Sequence, residues 1–188
     1  MIEPGLVSLG ILAGGQARRL GGMDKALILR EGRQQLERVL AAFPHPFRER
    51  LLSYNRDPSG LPATALRVVS DLRPGFLGPV AALEALAAEC HSPWLLTVPV
   101  DCRDIPAGLA LQLFASAGPD GTAVDDGDGA QPLVGLWRVA ALREACGDAL
   151  DTANPRAMQV REALTLGRFD LAPHRLGNLN LPEDIEAP

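Results

Sequence analysis

A glycine-rich segment that follows directly on a short apolar run constrains the fold of this chain most strongly. Residues 6 to 12 are mostly apolar, and the run stops at Ala13, Gly14 and Gly15. Its length and the glycine stop predict a buried strand rather than a helix. The segment from Leu12 to Lys25 contains four glycines, two arginines and one lysine. The first strand therefore leads straight into a cationic loop whose backbone can adopt unusual conformations.

Strand-like and helix-like segments alternate through the first two-thirds of the chain. Short apolar runs predict further strands at 50–54, 66–70 and 94–100. Helical spacing of apolar residues predicts helices at 34–43, 80–90 and 107–117, the last two led by prolines. This alternation is typical of an α/β fold with a mostly parallel central sheet and helices on both faces.

The pattern changes from Gly121 onwards. Two apolar runs flank a polar tip at 125–129, which predicts a small β-hairpin. Helical stretches near 140–149 and 155–164 and a short strand near 168–171 complete the predicted elements. We expect a single domain of 188 residues.

Composition and charge exclude several classes of function. The net charge of −5 argues against nucleic acid as the main partner, because a phosphate backbone requires a basic face. Cys90, Cys102 and Cys146 are widely spaced and indicate neither a disulfide framework nor a zinc knuckle. No apolar run approaches the ~20 residues of a membrane span. We therefore expect a cytoplasmic protein that does not bind membranes, and we expect no leader segment because Glu3 and Pro4 lie where one would start.

Three unusual loops fall at the predicted carboxyl ends of strands. They span residues 13–25, 71–79 and 101–106. In open α/β sheets, ligands bind beyond the carboxyl ends of the strands, where such loops gather. The sequence therefore predicts one site formed by all three loops.

The first loop has the composition of a phosphate-binding loop. Gly14 and Gly15 let backbone amides approach phosphate oxygens closely, and Arg19 and Lys25 can neutralise a triphosphate and the departing pyrophosphate. The segment matches neither the ATPase pattern GxxxxGK[ST] nor the dinucleotide pattern GxGxxG. The alternative interpretation is a flexible glycine loop with two solvated arginines.

The other two loops carry acidic residues and a glycine. Asp101 follows a core strand and is suited to bind Mg²⁺, a hard cation that prefers oxygen ligands. Alternatively it caps the next helix, although Asp104 is better suited to that role. Gly78 precedes a helix start and permits close backbone approach to an anion or a base, and a plain turn is the alternative. Residues 178–184 are either a capped last helix or a segment whose Asn180 points at metal or phosphates.

Five motifs carry a resemblance to a known family: LAGGQARRLGGMDK at 12–25, Asp71 with GP at 78–79, VPVDC at 98–102, QPLVGLW at 131–137 and NLNLPED at 178–184. These motifs run in the family's order over nearly the whole chain, and because of them the chain resembles the molybdenum cofactor guanylyltransferase family. The resemblance implies a Rossmann-like nucleotidyltransferase fold. It also implies a reaction in which GTP and Mo-molybdopterin give molybdopterin guanine dinucleotide and pyrophosphate, with Mg²⁺ as cofactor.

The resemblance implies roles for individual residues. Backbone atoms of Leu12, Ala13 and Gly14 would contact the nucleotide, Lys25 its phosphates, Asn55 and Asp71 its base or ribose, and Asp101 the Mg²⁺. With the loop residues above, the expected nucleotide-binding set is Leu12, Ala13, Gly14, Gly15, Lys25, Asn55, Asp71, Gly78 and Asp101. The expected catalytic set is Arg19, Lys25 and Asp101, and the expected acceptor-binding set is Arg156, Asn178 and Asn180.

Residues 1–118 would form a nucleotide-binding half and residues 119–188 an acceptor-binding half. We expect a monomer that contacts molybdoenzymes or cofactor chaperones transiently. The chain departs from the family pattern at Ala82, where a glycine is usual, and at Arg103 and Asp104, which replace a commoner neutral pair. Three alternatives stay open: a cytidylyltransferase of the same cofactor, a sugar-1-phosphate nucleotidyltransferase, and a non-catalytic nucleotide-binding domain.

Overall fold

A computed structural model describes residues 2–15, 23–75, 77–179 and 184. The strands are β1 (Val7–Leu12), β2 (Leu29–Arg30), β3 (Arg33–Gln34), β4 (Arg50–Ser53), β5 (Arg67–Val69), β6 (Trp94–Pro99), β7 (Gly121–Asp126), β8 (Gly129–Arg138) and β9 (Gly167–Asp170). The α-helices are α1 (Gln35–Ala41), α2 (Pro79–Glu89), α3 (Leu109–Ala115), α4 (Val139–Leu150) and α5 (Ala157–Glu162). Short 3₁₀ turns lie at Pro4–Leu6, Lys25–Leu27 and Pro58–Gly60.

The described strands form one mixed sheet of seven strands and a separate two-stranded ribbon. The order in the sheet is β5-β4-β1-β6-β8-β7-β9. Only β8 runs antiparallel to its neighbours, β6 and β7, and the other pairs are parallel. The carboxyl ends of β4, β1 and β6 therefore meet at one edge of the sheet, as the alternation of segments predicts.

The core lies on both faces of this sheet. Along β1, Leu9 and Ile11 pack in one buried cluster with residues of α1 and α3. Leu12 packs in the other cluster with residues of α2 and α4. Successive side chains of a strand point to opposite faces, so the six buried residues of β1 supply both clusters. The predicted α/β fold, with a mostly parallel sheet covered on both faces, is confirmed.

Three details differ from the sequence-based predictions. The β2–β3 ribbon was not predicted, because each of its strands has only two residues. The third helix begins at Leu109, and its N-cap is Gly108, in the left-handed conformation with φ 78°. The prediction that Asp104 caps this helix is wrong, because its amide donates to the Leu176 carbonyl (2.9 Å) and its carboxylate lies 3.7 Å from His174 Nε2.

Cys90, Cys102 and Cys146 are buried and free. Burial raises the pKa of each thiol, which keeps them protonated at neutral pH. Among the helices of the described residues, none combines the length and the apolar character needed to cross a bilayer.

Candidate functional site

A cavity of about 370 Å³ opens where the carboxyl ends of β1 and β6 meet the N-terminus of α2. A cavity of this volume is large enough for a small-molecule ligand. It is lined by Leu12, Ala13, Gly14, Gly15, Lys25, Asp71, Gly78, Pro79, Ala82, Pro99, Val100, Asp101 and Leu133. All three loops singled out from the sequence contribute to it, and Ala82, where the family pattern has glycine, lies in its wall.

The start of the glycine-rich loop continues the sheet before it enters the cavity. The amide of Ala13 donates to the Ser53 carbonyl at 3.0 Å, and the carbonyl of Leu12 accepts from the Val100 amide at 2.9 Å. The amide hydrogen of Ala13 is therefore already used. Within the described part of this loop, amide contacts to a phosphate would come from Gly14 and Gly15.

Gly14 lies against the Asn55 side chain. A Cβ atom added to Gly14 would lie 3.0 Å from Asn55 Nδ2 and 3.5 Å from Ser53 Oγ, whereas one added to Gly15 would meet nothing within 4 Å. The Oδ1 of Asn55 accepts a hydrogen bond from the Asp71 amide at 3.0 Å. The structure thus brings Gly14, Asn55 and Asp71 together, although Asn55 itself does not line the cavity.

Lys25 and Asp101 meet at the cavity. Lys25 Nζ donates to Asp101 Oδ2 at 2.7 Å, and the two side chains are 18% and 23% exposed. Asp24 precedes the 3₁₀ turn that carries Lys25, and its Oδ1 accepts from the Ala26 amide at 3.0 Å. Tyr54 Oη donates to the other oxygen of Asp24. These contacts fix the backbone that presents Lys25.

The carboxyl group of Asp71 is poorly satisfied. Within the described part of the chain, its Oδ1 is buried without a hydrogen-bond partner. Burial raises the pKa of Asp71, and a hydrogen bond from Asn55 opposes this rise. A buried acceptor that lacks a donor is costly in a folded protein. Asp71 can therefore accept a hydrogen bond from a ligand hydroxyl or amine in the cavity.

Gly78 brings the N-terminus of α2 to the cavity. Its φ of 75° and ψ of −161° lie in a region that is essentially restricted to glycine. Pro79 follows at the first helical position, where its missing amide hydrogen costs nothing. The loop before it is tied to α2 by Arg73, whose Nη2 lies 2.9 Å from Glu84 Oε1.

Two of the three predicted acceptor residues, Arg156 and Asn178, lie apart from this cavity lining. Arg156 is exposed at the N-cap of α5, and its amide donates to Gln159 Oε1 at 2.7 Å. Asn178 is exposed and forms an isolated bridge with Cys102, next to Asp101. Neither side chain lines the cavity. Arg19 and Asn180 lie outside the described residues, so their predicted roles stay predictions.

Sequence reasoning missed three residues around the cavity. Tyr54 holds Asp24, Ser53 places a buried hydroxyl beneath Gly14, and Leu133 of β8 lines the wall. No local pattern marks Tyr54 or Ser53, because their partners are 30 or more residues away. Leu133 lies within the QPLVGLW motif, but the motif alone predicts no role for this residue.

The cavity suits a Mg²⁺ ion that shares its coordination with a ligand. Among the described residues, no group of three His, Cys, Asp or Glu side chains could hold a metal ion by itself. Mg²⁺ is usually bound by one or two carboxylates together with substrate phosphates and water. Asp101 offers such a carboxylate at 23% exposure, and Asp71 offers a second one in the same cavity. The residues present fit this mode of binding.

The sequence matches a known family over most of its length. A family model described as MobA-like NTP transferase domain matches residues 9–165. A molybdenum cofactor guanylyltransferase from Shewanella amazonensis is 31% identical over 182 residues, covering 94% of this chain and 92% of that protein. One from Shewanella sp. strain MR-4 is 30% identical, covering 92% and 90%.

Solved structures with the same fold have lower sequence identity. Molybdopterin-guanine dinucleotide biosynthesis protein A from Archaeoglobus fulgidus has a TM-score of 0.72 at 20% identity, with 95% of each chain covered. A 2-C-methyl-D-erythritol 4-phosphate cytidylyltransferase from Thermus thermophilus has a TM-score of 0.63 at 19% identity, with 94% of each chain covered. At these identities the likeness shows a shared fold, and it does not distinguish one nucleotide from another.

Proposed function

Because the chain belongs to the MobA-like NTP transferase domain family, we propose that it transfers GMP from GTP to the terminal phosphate of Mo-molybdopterin. The products would be molybdopterin guanine dinucleotide and pyrophosphate. The chain is an enzyme of the nucleotidyltransferase class. The relatives named molybdenum cofactor guanylyltransferase support GTP and molybdopterin as its substrates.

One observation supports this reaction most directly. The Lys25 ammonium and the Asp101 carboxylate lie 2.7 Å apart at a cavity whose wall includes glycine backbone. A triphosphate placed there would meet one lysine, which can bind its oxygens, and a carboxylate that can bind its metal ion. Each of the two side chains holds the other in place until the nucleotide and the metal replace their ion pair.

The charge balance of the cavity supports a metal-bound nucleotide. The described residues that line it include one cation, Lys25, and two carboxylates, Asp71 and Asp101. A bare triphosphate would be repelled by the carboxylates, so additional positive charge is required. Mg²⁺ held by Asp101 would supply that charge at the phosphates. Arg19, which belongs to the same loop in the sequence, would supply more.

The proposed chemistry is a direct in-line displacement. A non-bridging oxygen of the molybdopterin phosphate would form a bond to the α-phosphorus of GTP. The bond from that phosphorus to the oxygen bridging to the β-phosphate would break, and its electron pair would leave with pyrophosphate. A phosphate monoester is mostly ionised at pH 7, since its second pKa is about 6, so no protein base is needed. Lys25 would stabilise charge on the leaving group.

The remaining residues would position the two substrates. We assign Leu12, Ala13, Gly14, Gly15 and Gly78 to the backbone walls around the nucleotide, and Asn55 with Asp71 to its base or ribose. The orphaned Oδ1 of Asp71 supports this role, because a ribose hydroxyl could donate to it. Residues 119–188 would bind the acceptor, with Arg156, Asn178 and Asn180 near its phosphate. We further propose a monomer that contacts molybdoenzymes or cofactor chaperones transiently.

Reconstituted turnover tests this function. The protein is incubated with Mg²⁺, Mo-molybdopterin and GTP, CTP or UTP, and pyrophosphate and the dinucleotide product are quantified. We expect pyrophosphate release that needs Mg²⁺ and acceptor together and that is fastest with GTP. Faster turnover of CTP would replace the guanine assignment with cytosine. Turnover only with a sugar 1-phosphate would change the acceptor, and nucleotide binding without any pyrophosphate would leave a non-catalytic domain.

A further inference from the structure

A buried glutamine at the start of α1 reaches across to the loop that carries Asp101. Gln35 is 1% exposed, and its Nε2 donates to the Val100 carbonyl at 2.9 Å and to the Cys102 carbonyl at 2.8 Å. These two carbonyls belong to the residues on either side of Asp101. A single amide group thus uses both of its hydrogens to bracket one peptide segment.

The amide of Gln35 is itself oriented by a neighbour. Arg30 Nη1 donates to Gln35 Oε1 at 3.4 Å, and Arg30, the second residue of β2, is buried. The Gln35 backbone amide donates to the Ile28 carbonyl at 2.8 Å. Both ends of the residue are therefore held, and its side chain cannot rotate without losing two or more hydrogen bonds.

The opposite side of the Asp101 loop is held mainly by backbone hydrogen bonds, together with a contact of 2.9 Å between His174 Nε2 and the Asp104 carbonyl. The Asp101 carbonyl accepts from the Leu179 amide at 2.9 Å, and the Leu176 carbonyl accepts from the amides of Arg103 and Asp104 at 3.0 and 2.9 Å. Of the described contacts to the carbonyls of residues 100–102, those from Gln35 are the ones made by a side chain. They are also the ones that a point substitution can remove.

We propose that Gln35 is a positioning residue that sets the direction of the Asp101 carboxylate by holding the carbonyl groups of the residues before and after it. The proposal rests on the proposed function, in which Asp101 binds the Mg²⁺ that accompanies the nucleotide. Residues that orient a metal ligand commonly change metal affinity or activity by about 10- to 100-fold when they are replaced. Gln35 does not line the cavity, so its effect on the site passes through the segment of residues 100–102 that carries Asp101.

Two substitutions test this role against a purely structural one. Gln35→Met keeps the length of the side chain and removes both donors. Gln35→Glu keeps its shape and, when ionised, also donates nothing, while Arg30 gives the new carboxylate a charged partner. Thr122→Val is the control, because it also removes a buried side-chain donor to a backbone carbonyl. In the wild type, Thr122 Oγ1 donates a hydrogen bond to the Leu113 carbonyl at 2.9 Å. We expect Gln35→Met to lower the denaturation midpoint more than the control does, because it removes three side-chain hydrogen bonds where Thr122→Val removes one.

Hydrogen–deuterium exchange measures how firmly Gln35 holds residues 100–102, and it does not depend on activity. In the folded protein, exchange of the peptide covering residues 100–104 should become at least about fivefold faster in both Gln35 variants and stay unchanged in Thr122→Val. Exchange that is equally slow in all three proteins would overturn the proposal. If Gln35→Met fails to fold, Gln35→Glu alone decides the result.

Metal binding measures the consequence for Asp101. Mn²⁺ titrated into the protein with GTP is followed by electron paramagnetic resonance, and Mg²⁺ dependence of turnover is measured in parallel. We expect the apparent dissociation constant for the metal to rise about tenfold in both Gln35 variants and to stay unchanged in the control. An unchanged constant in an active Gln35 variant would overturn the positioning role. An inactive wild-type protein whose exchange still responds to Gln35→Met would instead contradict the proposed function.

Discussion

Lys25 and Asp101 approach each other from parts of the chain that lie 76 positions apart, and both side chains remain partly accessible. An ion pair in this setting contributes little to stability, about 1 kcal/mol or less, because water screens it. When a nucleotide binds, however, Lys25 can release Asp101 and bind a phosphate, and Asp101 can then bind a metal ion. Their contribution should therefore appear in catalysis rather than in folding.

Replacement of either member of this pair tests that expectation. Lys25→Met and Asp101→Asn should each lower kcat by about 10²–10³, as expected for the loss of a preorganised charge. The free energy of unfolding should change by about 1 kcal/mol or less. Glu31→Gln is the control, because it removes a surface ion pair with Arg38 of the same 2.7 Å length outside the cavity. A loss of less than tenfold, or an equal loss in the control, would contradict these roles.

Two adjacent glycines offer a matched test of the loop geometry. Gly14→Ala places a methyl group 3.0 Å from Asn55 Nδ2 and must displace a side chain that accepts from the Asp71 amide. Gly15→Ala meets nothing within 4 Å. We expect calorimetry to show GTP affinity reduced on the order of 10-fold by Gly14→Ala, the worth of about one hydrogen bond. Equal affinities for the two variants would show that the contact with Asn55 is irrelevant to binding.

Single residues also mark the limit of what the sequence reveals. Lys25, Asp71, Gly78 and Asp101 were predicted to gather at one site, and all four line the same cavity. Each follows a recognisable strand or precedes a recognisable helix, so its position is set by local pattern. Tyr54, which bonds to Asp24 across 30 positions, has no such local signal because its partner is known only once the chain has folded.

At the level of elements, the boundaries were predicted well where glycine or proline marks them. Helix α2 was expected at 80–90 and is observed at Pro79–Glu89, because Pro79 begins it. The start of α3 was placed two residues too early, since Gly108 rather than Asp104 occupies the N-cap. The β2–β3 ribbon, with two residues in each strand, is too short for periodicity to reveal.

Replacing a glycine by alanine should change the stability in opposite directions at the N-cap of α2 and inside α4. Gly78→Ala should destabilise the protein by about 1–3 kcal/mol, because its φ of 75° and ψ of −161° disfavour any residue with a Cβ atom. Gly147→Ala, within α4 and with open space around a new Cβ atom, should stabilise it by about 0.5–1 kcal/mol. Urea unfolding of both variants measures the difference. Stabilisation by Gly78→Ala would refute the assigned strain.

At the scale of the whole molecule, the Glu49 carboxylate joins three segments at the amino end of the sheet through hydrogen bonds from Ser8, Arg67 and His91. Burial by itself would raise the pKa of Glu49, but hydrogen bonds from the His91 amide, Arg67 and Ser8 outweigh it and lower the pKa from 4.5 to about 2. A group whose pKa is lowered by folding stabilises the folded state above its unfolded pKa. That contribution is lost as the pH falls from about 4.5 towards 2.

Acid unfolding checks this contribution. Glu49→Gln should lower the free energy of unfolding at pH 7 by about 2 kcal/mol and flatten its pH dependence between 4.5 and 2. Glu89→Gln is the control, because it removes the other partner of Arg67, at 2.6 Å, from a half-exposed position. Its effect should be about 0.5 kcal/mol or less. Parallel pH profiles of the wild type and Glu49→Gln would contradict the assignment.

At the scale of the whole molecule, the sequence predicted the layers of the fold, and the division into a nucleotide-binding and an acceptor-binding half stays a prediction. The strand at 121–126 and the one at 129–138 extend the same sheet that carries the cavity, since β8 pairs with β6. Alternation of segments revealed this sheet because burial imposes a period on every strand and helix. The sequence could not predict where the acceptor-binding residues lie relative to Asp101. Arg156 lies apart from the cavity lining, and no local pattern relates it to Asp101.

The most direct test of the account is a crystal structure with Mg²⁺ and a GTP analogue that cannot be cleaved between its α- and β-phosphates. We predict the triphosphate between the Gly14–Gly15 backbone and Lys25, with the metal ion on Asp101 and the ion pair of 2.7 Å opened. A nucleotide bound elsewhere, or one bound in the cavity while Lys25 and Asp101 stay paired and the metal ion touches neither phosphate nor Asp101, would contradict it.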